Sequence, residues 1–247
     1  MIEYYLQFPE NEPASRIDVD LSLADEEPED MFKPMLLWVF VKMIAPDEHG
    51  ICTEPECSKL QEIREALSEK LSETVGAVFS GSRMSEGWFE LYFYARTGKK
   101  LIASAGEVLQ EFDGYTFDTG SSRDEDWEHY RNELYPDTMQ LHQIQNRQII
   151  SQLIEAGDDT AVEREVEHYL FFQLPTQADR AVASLEASGY ELKESVEQEG
   201  EYPYGRVLVK VQDVTEDTME ASAAEMLEAA YAEHGIYEGW STTIASS

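Results

Sequence analysis

Glu165-Val-Glu-His-Tyr-Leu-Phe-Phe172 sets the reading of the second half of the chain. Glu165, Glu167, Tyr169 and Phe171 alternate with Val166, His168, Leu170 and Phe172, and that period of two predicts a strand. Thr176 follows as the expected cap of a helix that runs through Ser188 and stops at Gly189. Tyr190–Val196 and Arg206–Val214 read as strands across a loop rich in Glu, Gly and Pro. Thr215 or Asp217 is the expected cap of a further helix reaching His234, with Gly235 as its stop, and Ile236–Ile244 closes as a strand. Upstream, Leu141, Ile144, Ile149, Ile150, Leu153 and Ile154 mark a leading helix ended by Gly157. Behind that helix the order is β-α-β-β-α-β, the ferredoxin-like split β-α-β arrangement.

The first half repeats that order without a convincing repeat in sequence. Ile2, Tyr4, Leu6 and Phe8, then Ile17, Val19, Leu21 and Leu23, alternate with more polar residues as two half-buried strands joined by a loop with Pro9 and Pro13. Ala24–Asp30 reads as a solvated acidic loop. Met35–Met43 is nearly all apolar and fits a central strand. Thr53 with Glu56 has capping-box spacing, and Leu60, Ile63, Leu67 and Leu71 give the stripe of a helix. Ala77–Ser82 and Trp88–Ala95 read as strands, Leu101–Phe112 as a helix and Thr116–Thr119 as a short strand. Asp124–Tyr135 is charged and aromatic, and Pro136 interrupts it. The expected fold is therefore α+β, two tandem ferredoxin-like domains with antiparallel sheets, covering 1–137 and 138–247.

Charge narrows the function. Among 247 residues, 51 are Asp or Glu and 18 are Lys or Arg, a formal net of −33. Both halves share it: residues 1–146 hold 30 acidic and 12 basic groups, and residues 147–247 hold 21 and 6. Such a surface repels nucleic-acid phosphates and anionic lipid and attracts cationic polypeptides. The bland reading is solubility alone. Hydrophobic content of 42% supports a real core. No apolar run approaches the roughly 18 residues of a membrane span. Met1-Ile-Glu-Tyr-Tyr-Leu6 lacks the order of a secretory signal, and Cys52 and Cys57 make no disulfide framework. The expected compartment is the cytoplasm.

Four stretches carry a resemblance. They are Asn146-Arg-Gln-Ile-Ile-Ser-Gln-Leu-Ile-Glu-Ala-Gly-Asp-Asp159, Val166-Glu-His-Tyr-Leu170, Ala187-Ser-Gly-Tyr-Glu-Leu192 and Tyr237-Glu-Gly-Trp-Ser-Thr242. In this order and spacing, residues 138–244 resemble the bacterial regulator of ribonuclease E activity, type B. The resemblance implies an acidic ferredoxin-like protein that binds ribonuclease E and inhibits it. Residues 1–137 are more loosely similar to an uncharacterised bacterial domain family, and that similarity implies no chemistry.

Catalytic and metal patterns are weak. Cys57 falls in the first turn of its helix, where the dipole favours a thiolate, but Glu54 and Glu56 oppose it. A quiet structural thiol is the expectation. Neither Asp18-Val-Asp20 nor Asp124-Glu-Asp126 continues as a calcium loop, and no His pair has the spacing of a helical zinc site. There is no Gly-rich phosphate loop, nucleophile elbow or dinucleotide fingerprint. No catalytic residue, cofactor or metal is assigned. Trp240 is read first as core and second as an interface anchor.

The candidate partner-binding residues are Asp158, Asp159, Glu165, Glu167, Tyr169 and Phe171. Carboxylates beside aromatics on one sheet face disfavour RNA but suit arginine-rich protein segments, which pair with carboxylates and stack on rings. Against this stands simple packing of Tyr169 and Phe171. The expectation is a non-catalytic, cytoplasmic regulator of a basic protein partner, by resemblance ribonuclease E or related RNA-decay machinery, with no direct nucleic-acid or membrane contact. The alternative is an enzyme with carboxylates in a cleft between the domains.

Overall fold

Ile2–Gln7 (β1) and Ser15–Asp20 (β2) pair antiparallel, with Tyr5 opposite Ile17. The computed structural model describes residues 2–7, 13–24 and 33–245. The acidic loop read at Ala24–Asp30, beyond Ala24, lies outside them, as do Phe8 and Pro9. Met35–Lys42 (β3), Glu56–Val75 (α1), Val78–Ser85 (β4), Trp88–Ala95 (β5), Leu101–Leu109 (α2) and Thr116–Arg123 (β6) follow. The strand order is β1-β2-β4-β5-β3-β6, with every neighbour antiparallel. β3 to β6 with α1 and α2 are a split β-α-β unit, and the β1–β2 hairpin lengthens its sheet along β4.

Leu60, Ile63, Leu67 and Leu71 are fully buried, so the predicted stripe of α1 is the face that meets Leu37, Val39, Val41, Leu91 and Phe93 of the sheet. Each such side chain contributes about 1.5–3 kcal/mol by leaving water. Gly76 ends α1 in the left-handed region (φ 64°), where its N–H bonds the Ser72 carbonyl.

The start of α1 differs from the capping-box expectation. The helix begins at Glu56 behind Pro55, with no side-chain cap. The Glu56 carboxylate turns to the preceding loop and accepts from the Ile44 and Ala45 N–H groups at 2.6 and 2.8 Å. The cysteines also depart from the expected free thiols, because Cys52 and Cys57 are joined by a disulfide. The chain reversal before α1 brings them within reach, which a spacing of five residues does not reveal.

Asp124–Tyr135, charged and aromatic in sequence, is bonded into the first unit. Asp124 accepts from the N–H groups of Glu128 and His129 and from the Tyr94 hydroxyl. Trp127 then stacks on Tyr94 at 3.8 Å. Tyr130, in a π-helical turn over Tyr130–Leu134, donates to the Asp20 carbonyl, and Tyr5 donates to that of Leu134. The segment is tied to β2 and β5 of its own unit.

The chain divides into two compact units, Met1–Pro136 and Asp137–Ser247. The second contains Thr138–Glu155 (α3), Arg164–Phe172 (β7), Pro175–Ala187 (α4), Glu191–Glu197 (β8), Tyr204–Gln212 (β9), Glu216–Ala232 (α5) and Ile236–Thr242 (β10). Asp137 caps α3: its carboxylate accepts from the Gln140 N–H, and the Gln140 side chain accepts from the Asp137 N–H, each at 2.8 Å. Helix α4 starts at Pro175, so Thr176 is not its cap. The antiparallel order β10-β7-β9-β8 is again ferredoxin-like. The fold is two tandem ferredoxin-like domains.

Candidate functional site

Strict alternation in β7 sorts its side chains. Arg164, Val166, His168, Leu170 and Phe172 are buried, while Glu165, Glu167, Tyr169 and Phe171 take the opposite face. Leu170 and Phe172 pack with Ala178, Ala181 and Leu185 of α4 and with Ala223 and Met226 of α5. Val166 packs with Met219 and Trp240, against Ile149, Ile150 and Leu153 of α3. All three helices of this unit therefore cover one side of the sheet, and the acidic–aromatic row lies on the other.

Register builds the rest of that face. Glu165, Glu167 and Tyr169 stand opposite Val211, Val209 and Val207 of β9. Phe171 stands opposite Gly205, where a Cβ would come 2.8 Å from the Phe171 ring; the glycine makes room for the aromatic. Glu194 and Val196 of β8 continue outward from Val207 and Gly205. On the other flank, the Ser241 hydroxyl lies 2.7 Å from the Tyr169 hydroxyl, which also donates to Glu167 at 3.0 Å. Val211 is 63% exposed. Val207 is buried, so the surface is a short valine ridge of Val209 and Val211 flanked by carboxylates and two rings.

A cation missed by sequence reading also reaches it. Lys193 lies 2.6 Å from Glu167 and 3.4 Å from Glu165. The pairing of β8 with β9 shifts register between Leu192 and Glu194, and this bulge re-aims Lys193. Its hydrogen bond, followed by that of Tyr169, holds the Glu167 carboxyl below the ordinary carboxylate range. Only the bulge could have signalled Lys193, and alternation hides bulges.

Asp158 and Asp159 do not join the row. The Asp158 side chain is wholly buried; it takes two hydrogen bonds from Arg164, at 2.7 and 2.8 Å, and one from the Ala245 N–H at 2.8 Å. Burial works to raise its pKa, but those bonds outweigh it and hold the carboxyl low. Asp158 thus clamps Ala245 to the start of β7, and it is a structural residue where a surface one was expected. Asp159 is half-buried in the same turn, accepting from the Ala161 N–H and donating its own N–H to Ala245. Sequence showed two adjacent carboxylates but not the internal arginine that claims one of them.

Behind the row is a buried polar core. His168 Nδ1 lies 2.9 Å from the Tyr237 hydroxyl, and His142 stacks on the Tyr237 ring at 4.8 Å. Burial, with a smaller push from Lys210, lowers the His168 pKa to about 4. Burial also lowers that of His142. Trp240 is core: its indole donates to Asn146 at 2.8 Å. In the first unit the buried carboxylates Asp18 and Glu56 sit in separate hydrogen-bond sets, and in the second Asp158 is held by Arg164. Among the described residues no group of three or more His, Cys, Asp or Glu is placed to hold a metal ion.

Residues 3–135 match the model of a family of unknown function, DUF695. The chain belongs to this family. Beyond the DUF695 region, residues 143–242 match the model of the regulator of ribonuclease activity B, and this second match contains the whole acidic–aromatic row. No curated protein matches the DUF695 chain. Two solved structures are similar at low level. An unknown protein from Galdieria sulphuraria shares 11% identity over 85% of this chain and 99% of its own, and a candidate glycine cleavage system transcriptional repressor shares 9% over 85% and 98%. Both have a TM-score of 0.22, too low to carry an argument.

Proposed function

We propose that this chain is a non-catalytic acidic regulator that binds a basic protein partner and restrains ribonuclease E or related RNA-decay machinery. The observation that carries the reading is the coincidence of two facts. The region matching the regulator of ribonuclease activity B spans residues 143–242, and one helix-free sheet face within it gathers Glu165, Glu167, Tyr169 and Phe171. The partner-binding set narrows to these four, because Asp158 is structural and Asp159 lies in the turn before β7. Long-range attraction from the net −33 draws a cationic segment in. Its arginines then pair with Glu165 and Glu167 and stack on the two rings, while the valine ridge takes its apolar positions.

The same charge disfavours direct contact with RNA, so regulation works on the protein. The cytoplasm is the compartment where such a partner acts. Among the described residues no helix is long and apolar enough to cross a membrane. The test is cleavage of an RNA oligonucleotide by ribonuclease E with and without this chain. Inhibition that is lost in the Tyr169→Ala, Phe171→Ala double variant supports the reading. Unchanged cleavage together with no binding to the basic segments of the enzyme defeats it.

A further inference from the structure

The disulfide of the first unit is not simply a staple in the core. Cys52 and Cys57 line a cleft of ≈ 260 Å³ whose walls also hold Arg16, Arg64, Asp18 and Glu54. Only 18 of 247 residues are Lys or Arg, and two of them flank this sulfur pair. Arg16 lies over the Tyr4 ring at 4.3 Å and pairs with Asp18 at 3.1 Å, while Arg64 lies 5.8 Å from the centre of the Phe79 ring. Elsewhere on so acidic a surface an anionic ligand is repelled. Here two guanidinium groups offset the Asp18 and Glu54 carboxylates beside an S–S bond; Arg16 is shared with Asp18, and Arg64 has no carboxylate partner among the described residues of the cleft.

We propose that this cleft is a thiol–disulfide exchange site for a low-molecular-weight thiol that carries carboxylates. Arg16 and Arg64 hold the carboxylates and bring the thiolate to Cys57, which is partly exposed where Cys52 is buried. The thiolate attacks Cys57 Sγ. The Cys52–Cys57 bond breaks, and its electron pair leaves on Cys52 Sγ as a thiolate. A second thiol of the same class, as thiolate, then attacks the outer sulfur of the mixed disulfide, and Cys57 leaves as a thiolate in the first turn of α1. Two external thiols are oxidised to one disulfide, and the protein pair gains those two electrons. The two cysteine thiolates then take up the two protons given up by the external thiols.

Charge selectivity tests the proposal. Rates of disulfide opening are measured on the full native chain with glutathione and with cysteamine at low salt, corrected for thiolate fraction and counted as alkylated cysteines by mass. General repulsion by the acidic surface would make the cationic thiol faster. The cleft predicts the reverse, and it predicts that Arg64→Gln lowers the glutathione-to-cysteamine ratio by roughly threefold. In Cys52→Ser, glutathione disulfide should leave a mixed disulfide on Cys57. If Arg64→Gln does not fold, the wild-type chain supplies the same comparison, because its preference for glutathione should disappear at high salt. Preference for cysteamine, or a disulfide that resists both thiols until the chain unfolds, overturns the proposal.

Discussion

Lys193 Nζ lies 2.6 Å from Glu167 and 3.4 Å from Glu165, bridging two carboxylates 26 and 28 residues away in sequence. The contact makes the acidic row a site that already holds a cation. An incoming arginine has to displace an ammonium that is solvated, flexible and on a strand at the end of the sheet. On the proposed function, Lys193 would compete with the partner and would not be part of its grip.

Replacing this competitor should strengthen binding. Lys193→Gln is expected to tighten an arginine-rich peptide by about two- to fivefold at low salt, the range in which exposed ion pairs operate. Isothermal titration of wild type and variant reads this directly. Weaker binding by Lys193→Gln would assign the lysine to the interface instead.

The buried imidazoles set an acid limit on the second unit. His168 folds as the neutral form with its pKa lowered to about 4, and His142 is shifted the same way by burial. Unfolding restores the ordinary value near 6.5. The unfolded state thus binds protons first as pH falls, so stability present above about 6.5 is lost progressively towards 4. Urea midpoints taken across that window should fall, and His168 resonances followed by NMR should titrate near 4 while the protein stays folded. A flat stability profile would contradict this account of the core.

Arg164 and Asp158 should be valuable together and harmful apart. Arg164→Met leaves the Asp158 carboxylate buried without its guanidinium, an expected loss of about 3 kcal/mol. The paired change Arg164→Met, Asp158→Leu removes both charges and should recover much of it, apart from the Ala245 hydrogen bond. Denaturant unfolding of the two variants gives the comparison. Equal losses would mean that the ion pair itself, and not the stranded charge, carries the stability.

Periodicity made most of the fold legible. Alternation in β7 and the four-residue apolar stripe of α1 each depend on local sequence, and both end up on the predicted faces. Features fixed by distant or irregular backbone were not legible. Glu56 spends its carboxylate on Ile44 and Ala45 rather than on a cap, because the chain reverses before α1. Cys52 meets Cys57 through the same reversal. At the site, Glu165 to Phe171 could be read from a period of two, whereas the burial of Asp158 depends on Arg164 and on the path of the chain at Ala245. Lys193 depends on a bulge, which shifts a side chain to a place that simple alternation does not give.

The salt dependence of binding to an arginine-rich peptide asks most directly whether this face is a cation-binding surface. Wild type, Glu165→Gln with Glu167→Gln, and Glu69→Gln with Glu73→Gln on exposed α1 positions are compared, so that both variants lose two charges. The first pair should weaken binding at least several-fold and flatten its dependence on salt, while the second leaves both nearly unchanged. Equal effects from the two pairs would show that net charge alone attracts the peptide and that the β7 face has no special part in holding it.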